Sequence, residues 1–466
     1  CNMVSDIEKK ELRRKSILND PILPLLVKTS IPTIIGMLVM VIYNLTDTFF
    51  VGILDNKSMT AAIGIVFSFM GFVQAIGFWF GYGSGNIMSK RIGQGSEKEA
   101  EKISSIGMLF ALGVGILVAL ISWIHISPLA SFIGGSASES LMGFTVDYLK
   151  VIVLTIPFAL YSITLYNQLR LCGNVKDGML GLLSGMLVNM VLDPILMFGL
   201  GFGFIGAGYA TLIGQVVSCI VLTGLSMKNG NIGASLKNAR VNRERVYHIL
   251  AGGMPNFLRQ SITSVALILL NISAARYGDG LLAALTISSR ILALAYLIMI
   301  GWGQGFQPIC AMNYGANQYD RVKKAFKLAV LGATGFLIIS ALGLYIFSEE
   351  LIMTMTRDSQ VILYSKKLLN LQCISLPLLG YFALASMLMQ NIGQYFWSSL
   401  ISISRQGIFY IPLLYILTVA FGQAGIFLLQ PVADFMSFIL ALVVVWKIGL
   451  GTRSKDMEYD KIKYNQ

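Results

Sequence analysis

The chain has 466 residues, of which 55% are apolar and only 12% are charged, and its mean hydropathy is +0.72. This composition excludes a soluble protein with a single anchor and indicates a chain that crosses a membrane many times. The net charge of +12 would suit a nucleic-acid-binding protein, but most Lys and Arg residues lie in loops on one side of the apolar segments. This positive-inside pattern predicts cytoplasmic termini, and no nucleic-acid partner is expected.

Hydropathy predicts twelve membrane-spanning helices. Each apolar segment can cross the hydrocarbon layer, within which a helix satisfies its own backbone hydrogen bonds. The predicted spans are 29–53, 60–88, 103–126, 142–170, 175–199, 203–227, 249–276, 281–312, 326–348, 361–391, 395–419 and 424–448.

The two halves of the chain repeat each other at an offset that stays between 218 and 223 residues. The paired landmarks are Pro32 with Pro255, Ala61 with Ala283, Gly81 with Gly303, Gly93 with Gly315, Pro157 with Pro377, Gly173 with Gly393 and Pro194 with Pro412. Because each half has six spans, both halves enter the membrane in the same direction. The sequence therefore predicts an all-α integral membrane protein of two six-helix bundles related by a pseudo-twofold along the membrane normal, which is typical of transporters.

The same pattern predicts the domain boundaries. Between the termini, two lobes of six spans each are separated by a polar linker. The predicted division is a cytoplasmic arm at 1–28, a first lobe at 29–227, a cytoplasmic linker at 228–248, a second lobe at 249–448 and a cytoplasmic tail at 449–466. The chain is expected to act as a monomer within the lipid bilayer.

The first span contains a carboxylate, Asp47, close to the polar residues Tyr43 and Asn44. A charge within the hydrocarbon is costly, so such a residue normally faces a cavity and has a function. The alternative is that Asp47 lies near enough to the outer interface to stay hydrated. We expect a functional Asp47, with Tyr43 and Asn44 as candidates for a substrate cavity.

The fifth span contains a second acid, Asp193, four residues after Asn189, so the two side chains share one helix face. Pro194 follows and prevents one normal helix hydrogen bond. The structural alternative is that Asp193 caps a helix that restarts at the proline. If Asp47 and Asp193 face each other, they can take up a proton or, with nearby amide and hydroxyl oxygens, hold Na⁺. H⁺ or Na⁺ is therefore the expected coupling ion, with no other cofactor or metal.

Methionine is abundant, with 22 residues. Its flexible, polarizable side chain suits sites that bind many apolar ligands, although ordinary packing must account for most of these residues. Met37, Met40, Met254 and Met299 are candidates for the substrate cavity.

The spans of the second half contain one acid, Asp434, and, away from their ends, the arginines Arg259, Arg290 and Arg405. The arginines could extend to the interface, hydrogen-bond to carbonyls or pair with Asp434. The chain contains no HExxH, no nucleophile elbow and no P-loop. An enzyme is therefore not expected.

These residues resemble the multidrug and toxic compound extrusion (MATE) transporters over nearly the whole chain. The most specific matches are YNLTD in the first span, SKRIGQG after the second, NMVLDP in the fifth and GFIGAGYAT at the start of the sixth. In that family a first-lobe cavity is lined by an acid, a tyrosine, an asparagine and aspartate pair, and a threonine. The resemblance implies Asp47, Tyr148, Asn189, Asp193 and Thr211 as the cation-coupling residues.

One branch of the family instead couples through second-lobe acids in the seventh and tenth helices. This chain has no Asp or Glu at 249–276 or 365–391, and Thr263 stands about where the seventh-helix acid would be. It therefore resembles the DinF- and MepA-like branch, in which coupling occurs in the first lobe. The role of Asp434, a secondary acid, stays open.

The resemblance implies a secondary active multidrug efflux antiporter of a bacterial cytoplasmic (inner) membrane. It would export amphipathic organic cations, such as drugs and dyes, in exchange for H⁺ or Na⁺ by alternating access. The alternative is a flippase for lipid-linked oligosaccharide or lipid from the same superfamily, but acidic residues in the first lobe favour cationic substrates. A receptor or channel fits the duplicated halves less well.

Overall fold

The structure, a computed structural model, describes residues 2–54, 56–228, 230–232 and 239–449, but not the side chains of residues 2–7, 44, 45, 47, 48, 57 and 137. The side chains of Asn44 and Asp47, two of the predicted site residues, therefore lie outside the described part. The described chain is helical almost throughout. Its α-helices are α1 (Asn2–Asn19), α2 (Ile22–Gly52), α3 (Lys57–Gly93), α4 (Glu97–Ile124), α5 (Ile126–Phe132), α6 (Glu139–Leu171), α7 (Val175–Pro194), α8 (Phe204–Ser226), α9 (Arg243–Ala275), α10 (Asp279–Gly315), α11 (Tyr319–Ile346), α12 (Ser348–Met353), α13 (Ser359–Ser375), α14 (Leu378–Asn391), α15 (Tyr395–Ile403), α16 (Tyr410–Phe421) and α17 (Gln423–Ile448).

Eleven helical segments of the described chain are long and apolar enough to cross a membrane, and α13 with α14 forms a twelfth, bent by 55°. The bend lies at Leu376 and Pro377, where the proline has no amide hydrogen with which to continue the helix ladder. The prediction of twelve spans is thereby confirmed.

The chain forms two compact units, the first comprising Cys1–Asn19 and Ile35–Gly253 and the second Asp20–Ile34 and Met254–Gln466. The first unit contains most of the first half of the chain and the start of α9. The second unit contains most of the second half and the start of α2. The sequence-based division kept α2 and α9 whole, and its lobe boundaries stay a prediction.

Two glycines explain how the start of α9 packs in the first unit and the start of α2 in the second. They are Gly83 and Gly305, each two residues after a landmark of the internal repeat. In the first unit, a Cβ atom added at Gly83 would lie 2.0 Å from the carbonyl oxygen of Ile249. In the second unit, a Cβ atom added at Gly305 would lie 2.2 Å from the Ser30 hydroxyl. Thr29 donates a hydrogen bond from Oγ1 to the Gly305 carbonyl at 2.9 Å. Small residues thus allow the close backbone approach on which helix packing in lipid depends.

We expect Gly305→Ala to destabilise the second unit by about 1–3 kcal/mol, the usual cost of overpacking, because its Cβ would overlap Ser30. The matched control is Gly335→Ala in α11, where an added Cβ meets nothing within 4 Å. Alanine is favoured over glycine inside a helix by about 0.5–1 kcal/mol, so the control should be at least as stable as the parent. Thermal unfolding of the detergent-purified chain measures both, and equal midpoints for the two variants would contradict the packing argument.

Candidate functional site

A cavity of about 500 Å³ lies within the first unit, between α2, α3, α6, α7 and α8. Its volume is in the range of sites that enclose drug-sized ligands. Six of the residues that the sequence proposed are in its wall: Met37, Met40, Tyr43, Tyr148, Asn189 and Thr211.

Asn189 is positioned by tight packing of α7 against α8. A Cβ atom added at Gly185, one turn earlier, would lie 2.4 Å from the carbonyl oxygen of Gly214. At this short separation, Asn189 donates from Nδ2 to Thr211 Oγ1 at 3.2 Å, and Thr211 donates to the Ala207 carbonyl at 3.0 Å. The Asn189 Oδ1 atom is buried and has no hydrogen-bond partner among the described residues. Asn189 and Thr211, both predicted site residues, are therefore joined by a hydrogen bond in the cavity wall.

Asp193 lies one turn beyond Asn189 and is fully buried, with 0% of its side chain exposed. It is not part of the cavity wall. The α-helix ends at Pro194, and a π-helical segment, Ile195–Gly199, follows. Such segments are rare and are often found at functional sites. The structure thus places the amide in the cavity wall and the buried carboxylate one helical turn further along α7, outside the wall.

Tyr148 is held in the wall by neighbouring rings. Its side chain is 3% exposed and stacks on Phe204, with ring centroids 5.5 Å apart and an interplanar angle of 27°. Phe204 in turn meets Phe144 edge-on at 5.5 Å. Aromatic pairs in these arrangements stabilise one another beyond simple burial, so the Tyr148 ring is fixed before any ligand arrives.

Sequence reasoning missed several residues of this wall, including Gln74, Tyr166, Met186 and Gln215. The two glutamines were detectable, because an amide within an apolar span also needs a polar partner or a cavity. All described residues of the wall are uncharged.

The remaining candidates lie in the second unit. Met254 is half-buried and Met299 is buried, and neither is in the wall of the first unit's cavity. Arg290 is exposed. Arg259 hydrogen-bonds to the hydroxyl of Tyr296 at 3.5 Å.

Asp434 is at the centre of a buried polar cluster in the second unit. Its Oδ1 atom accepts hydrogen bonds from Arg405 Nε and Gln430 Nε2, each at 2.7 Å. Its Oδ2 atom accepts one from Ser375 Oγ at 2.8 Å. Of the three roles open to the arginines, the structure selects the ion pair with Asp434 for Arg405.

Duplicated sets of six spans, with a drug-sized cavity inside one unit, define a helical membrane transporter of repeat architecture. The MatE family model matches residues 32–195 and 255–416, one stretch in each half. The chain belongs to this family, as the sequence resemblance implied.

Proteins and structures similar to this chain agree with that assignment. The multidrug export protein MepA of Staphylococcus haemolyticus (strain JCSC1435) is 28% identical over 420 residues, covering 90% of this chain and 92% of that protein. MepA of Staphylococcus aureus (strain MSSA476) is 27% identical over 427 residues, covering 91% of this chain and 94% of that protein. A MOP superfamily transporter from Pyrococcus furiosus superposes with a TM-score of 0.85 at 25% identity, covering 92% of this chain and 96% of the other. That structure is described as having a binding pocket of reverse polarity that suggests a different function.

Proposed function

We propose that this chain is a secondary active multidrug efflux antiporter that exports amphipathic organic cations in exchange for H⁺ or Na⁺. The observation that supports this proposal best is the 500 Å³ cavity in a MatE-family chain with MepA relatives. Its wall combines the flexible side chains of Met37 and Met40 with the fixed ring of Tyr148. Methionine adapts to ligands of many shapes, and aromatic faces attract organic cations. A monomer in a bacterial cytoplasmic membrane, with cytoplasmic termini, completes the proposal.

Coupling is assigned to Asp193, with Asp47 as the second acid expected from the sequence. A ligand shifts a conformational equilibrium only through its different affinities for the two states. The coupling ion and the drug must therefore favour opposite states. Because Asp193 lies one turn beyond Asn189 on α7 and is fully buried outside the cavity wall, its charge can act on the drug without direct contact.

The proposal is tested with the purified full-length chain in proteoliposomes loaded with ethidium. An imposed pH or Na⁺ gradient should drive ethidium across the membrane, and collapse of the gradient should stop it. If the correctly inserted protein moves no cationic dye under either gradient, the proposal is wrong.

The alternative of a lipid or lipid-linked oligosaccharide flippase receives less support from the cavity. None of its described wall residues is Lys or Arg, whereas a pyrophosphate headgroup is best held by cationic side chains. The same vesicles, prepared with a fluorescent lipid pyrophosphate, provide the comparison. Lipid movement without dye movement would favour the flippase.

Asn189→Ala should weaken dye efflux without abolishing it. The substitution removes the hydrogen bond to Thr211 at 3.2 Å and a polar part of the wall, while leaving Asp193 in place. Loss of about 1 kcal/mol of ligand binding, the size of a typical hydrogen bond, would raise the KM for ethidium about fivefold, and we expect a change of that size. Ser68→Ala is the control, because Ser68 is an exposed residue of α3 outside the wall. An unchanged KM in Asn189→Ala would remove Asn189 from the site.

A further inference from the structure

The second unit contains a cavity of its own, with a volume of about 250 Å³. Its wall includes Tyr296, Gln372, Arg405, Gln430 and Asp434, together with three leucine side chains. The proposed exchange of an organic cation for H⁺ or Na⁺ uses none of these residues. The cavity therefore requires its own explanation.

The carboxylate in this cavity is already occupied by donors. Arg405 and Gln430 donate to one oxygen of Asp434, and Ser375 donates to the other. With three donors around a side chain that is 2% exposed, the acid has little capacity to attract a cation from outside. A cationic ligand is therefore disfavoured.

The guanidinium group, by contrast, keeps donors available. Arg405 binds Asp434 through Nε, and neither Nη1 nor Nη2 donates a hydrogen bond to another described residue. The side chain is 17% exposed and forms part of the cavity wall. Arginine presents its donors in a planar fork that matches a carboxylate in two-point contact. The open side of Arg405 is thus suited to an anion.

The surroundings favour an anion with an apolar body. The Arg405 guanidinium lies 5.8 Å from the centre of the Tyr296 ring, and Arg259 hydrogen-bonds to the hydroxyl of the same tyrosine. Two arginines and one aspartate leave this cluster with a formal excess of one positive charge. The leucine side chains supply an apolar wall, and the exposed residues Ser289 and Ala293 show that the cavity is not sealed.

The backbone at Arg405 is also unusual. A π-helical segment, Ser404–Ile408, separates α15 from α16. Such segments are commonly retained where a side chain must be presented at a functional site. Here the segment carries the arginine that contacts both Asp434 and the cavity.

We propose that the cavity of the second unit is a binding site for a small organic carboxylate with an apolar body, which is held by the Nη atoms of Arg405. This site is separate from the cation cavity of the first unit and does not depend on the proposed function. Asp434 orients the guanidinium through Nε and moderates its charge.

The test uses the full-length chain in nanodiscs of zwitterionic lipid, with radiolabelled benzoate as the probe. Benzylamine and benzyl alcohol have the same ring with a positive or neutral headgroup and serve as competitors. We expect saturable benzoate binding with one site per chain that neither competitor displaces. Arg405→Gln should weaken it at least about tenfold, because a hydrogen bond to a charged group is among the stronger ones.

Two further variants separate recognition from structure. Asp434→Asn removes the neighbouring negative charge at almost constant shape, so benzoate affinity should increase. Arg405→Gln can leave a buried carboxylate without its partner and so disturb folding. The double variant Arg405→Gln with Asp434→Asn has no such orphaned charge and should fold and still fail to bind. Lys366→Gln is the matched control, because Lys366 is in another ion pair of the same unit, with Glu349 at 2.6 Å, outside the cavity wall.

Three results would overturn the proposal. They are the absence of saturable benzoate binding by the parent chain, equal binding of benzylamine, and benzoate binding that survives in the folded double variant. A loss of affinity in Lys366→Gln as large as that in Arg405→Gln would reduce the effect to general electrostatics and would also count against it.

Discussion

Asp193→Asn should abolish ion-driven efflux while leaving the protein folded. The substitution keeps the shape of a side chain that is fully buried and removes its ability to exchange a proton or neutralise Na⁺. Because an uncharged group is easier to bury than a charged one, the stability of the variant should match or exceed that of the parent. We expect gradient-driven ethidium transport in proteoliposomes to fall to the level of protein-free vesicles.

The control for this prediction is Asp147→Asn in α6. Asp147 belongs to the same unit but is 48% exposed and pairs with Lys150. An exposed ion pair contributes little to stability, so transport should stay close to that of the parent. Asp193→Glu, which restores the charge on a longer side chain, should recover part of the activity. Transport by Asp193→Asn with an unchanged dependence on pH and Na⁺ would rule out a coupling role for this residue.

Gly71→Phe should block the first unit's cavity to large ligands. Gly71 lies in α3 and forms part of the cavity wall, and an added Cβ meets nothing within 4 Å. The ring can therefore enter the empty volume without displacing backbone. Overpacking a site costs about 1–3 kcal/mol, and about 1.4 kcal/mol corresponds to a tenfold loss of affinity. The apparent affinity for ethidium in the proteoliposome assay should fall by about that factor.

A change of size alone must be separated from a change of fold. Gly113→Phe in α4 is the matched variant, since Gly113 is exposed and an added Cβ there also meets nothing within 4 Å. It should transport normally. Tetraethylammonium, a smaller cation, should be less affected than ethidium by Gly71→Phe. Equal losses for both cations, or equal losses in both variants, would contradict a block by volume.

Helix positions could be predicted from the sequence because each depends on local information. Pro377, for example, lies inside the tenth predicted span and lacks the amide hydrogen that continues a helix, and the structure bends by 55° beside it. The shared face of Asn189 and Asp193 followed in the same way from their spacing along one helix.

Other features depend on contacts between distant segments. Gln74 and Gln215 face one cavity because α3 and α8 both border it, which the hydropathy of either helix does not indicate. The same spacing argument could not say that Asn189 would line the cavity while Asp193 would be enclosed. Arg405 could be assigned to Asp434 only from the hydrogen bond between them, because the two residues belong to different helical segments, 29 residues apart.

The exchange of segments between the two units has a consequence for biosynthesis. Thr29 lies 276 residues before its hydrogen-bond acceptor, the Gly305 carbonyl. Ribosomes add about 5–20 residues per second, so the start of α2 must wait roughly 14 to 55 s for that acceptor to be made. The first unit in turn needs residues up to Gly253, where an added Cβ would lie 1.8 Å from the Trp79 carbonyl oxygen. The first unit can therefore complete its packing only after translation has entered the second half of the chain, and the second unit incorporates a segment that was made at the start of translation.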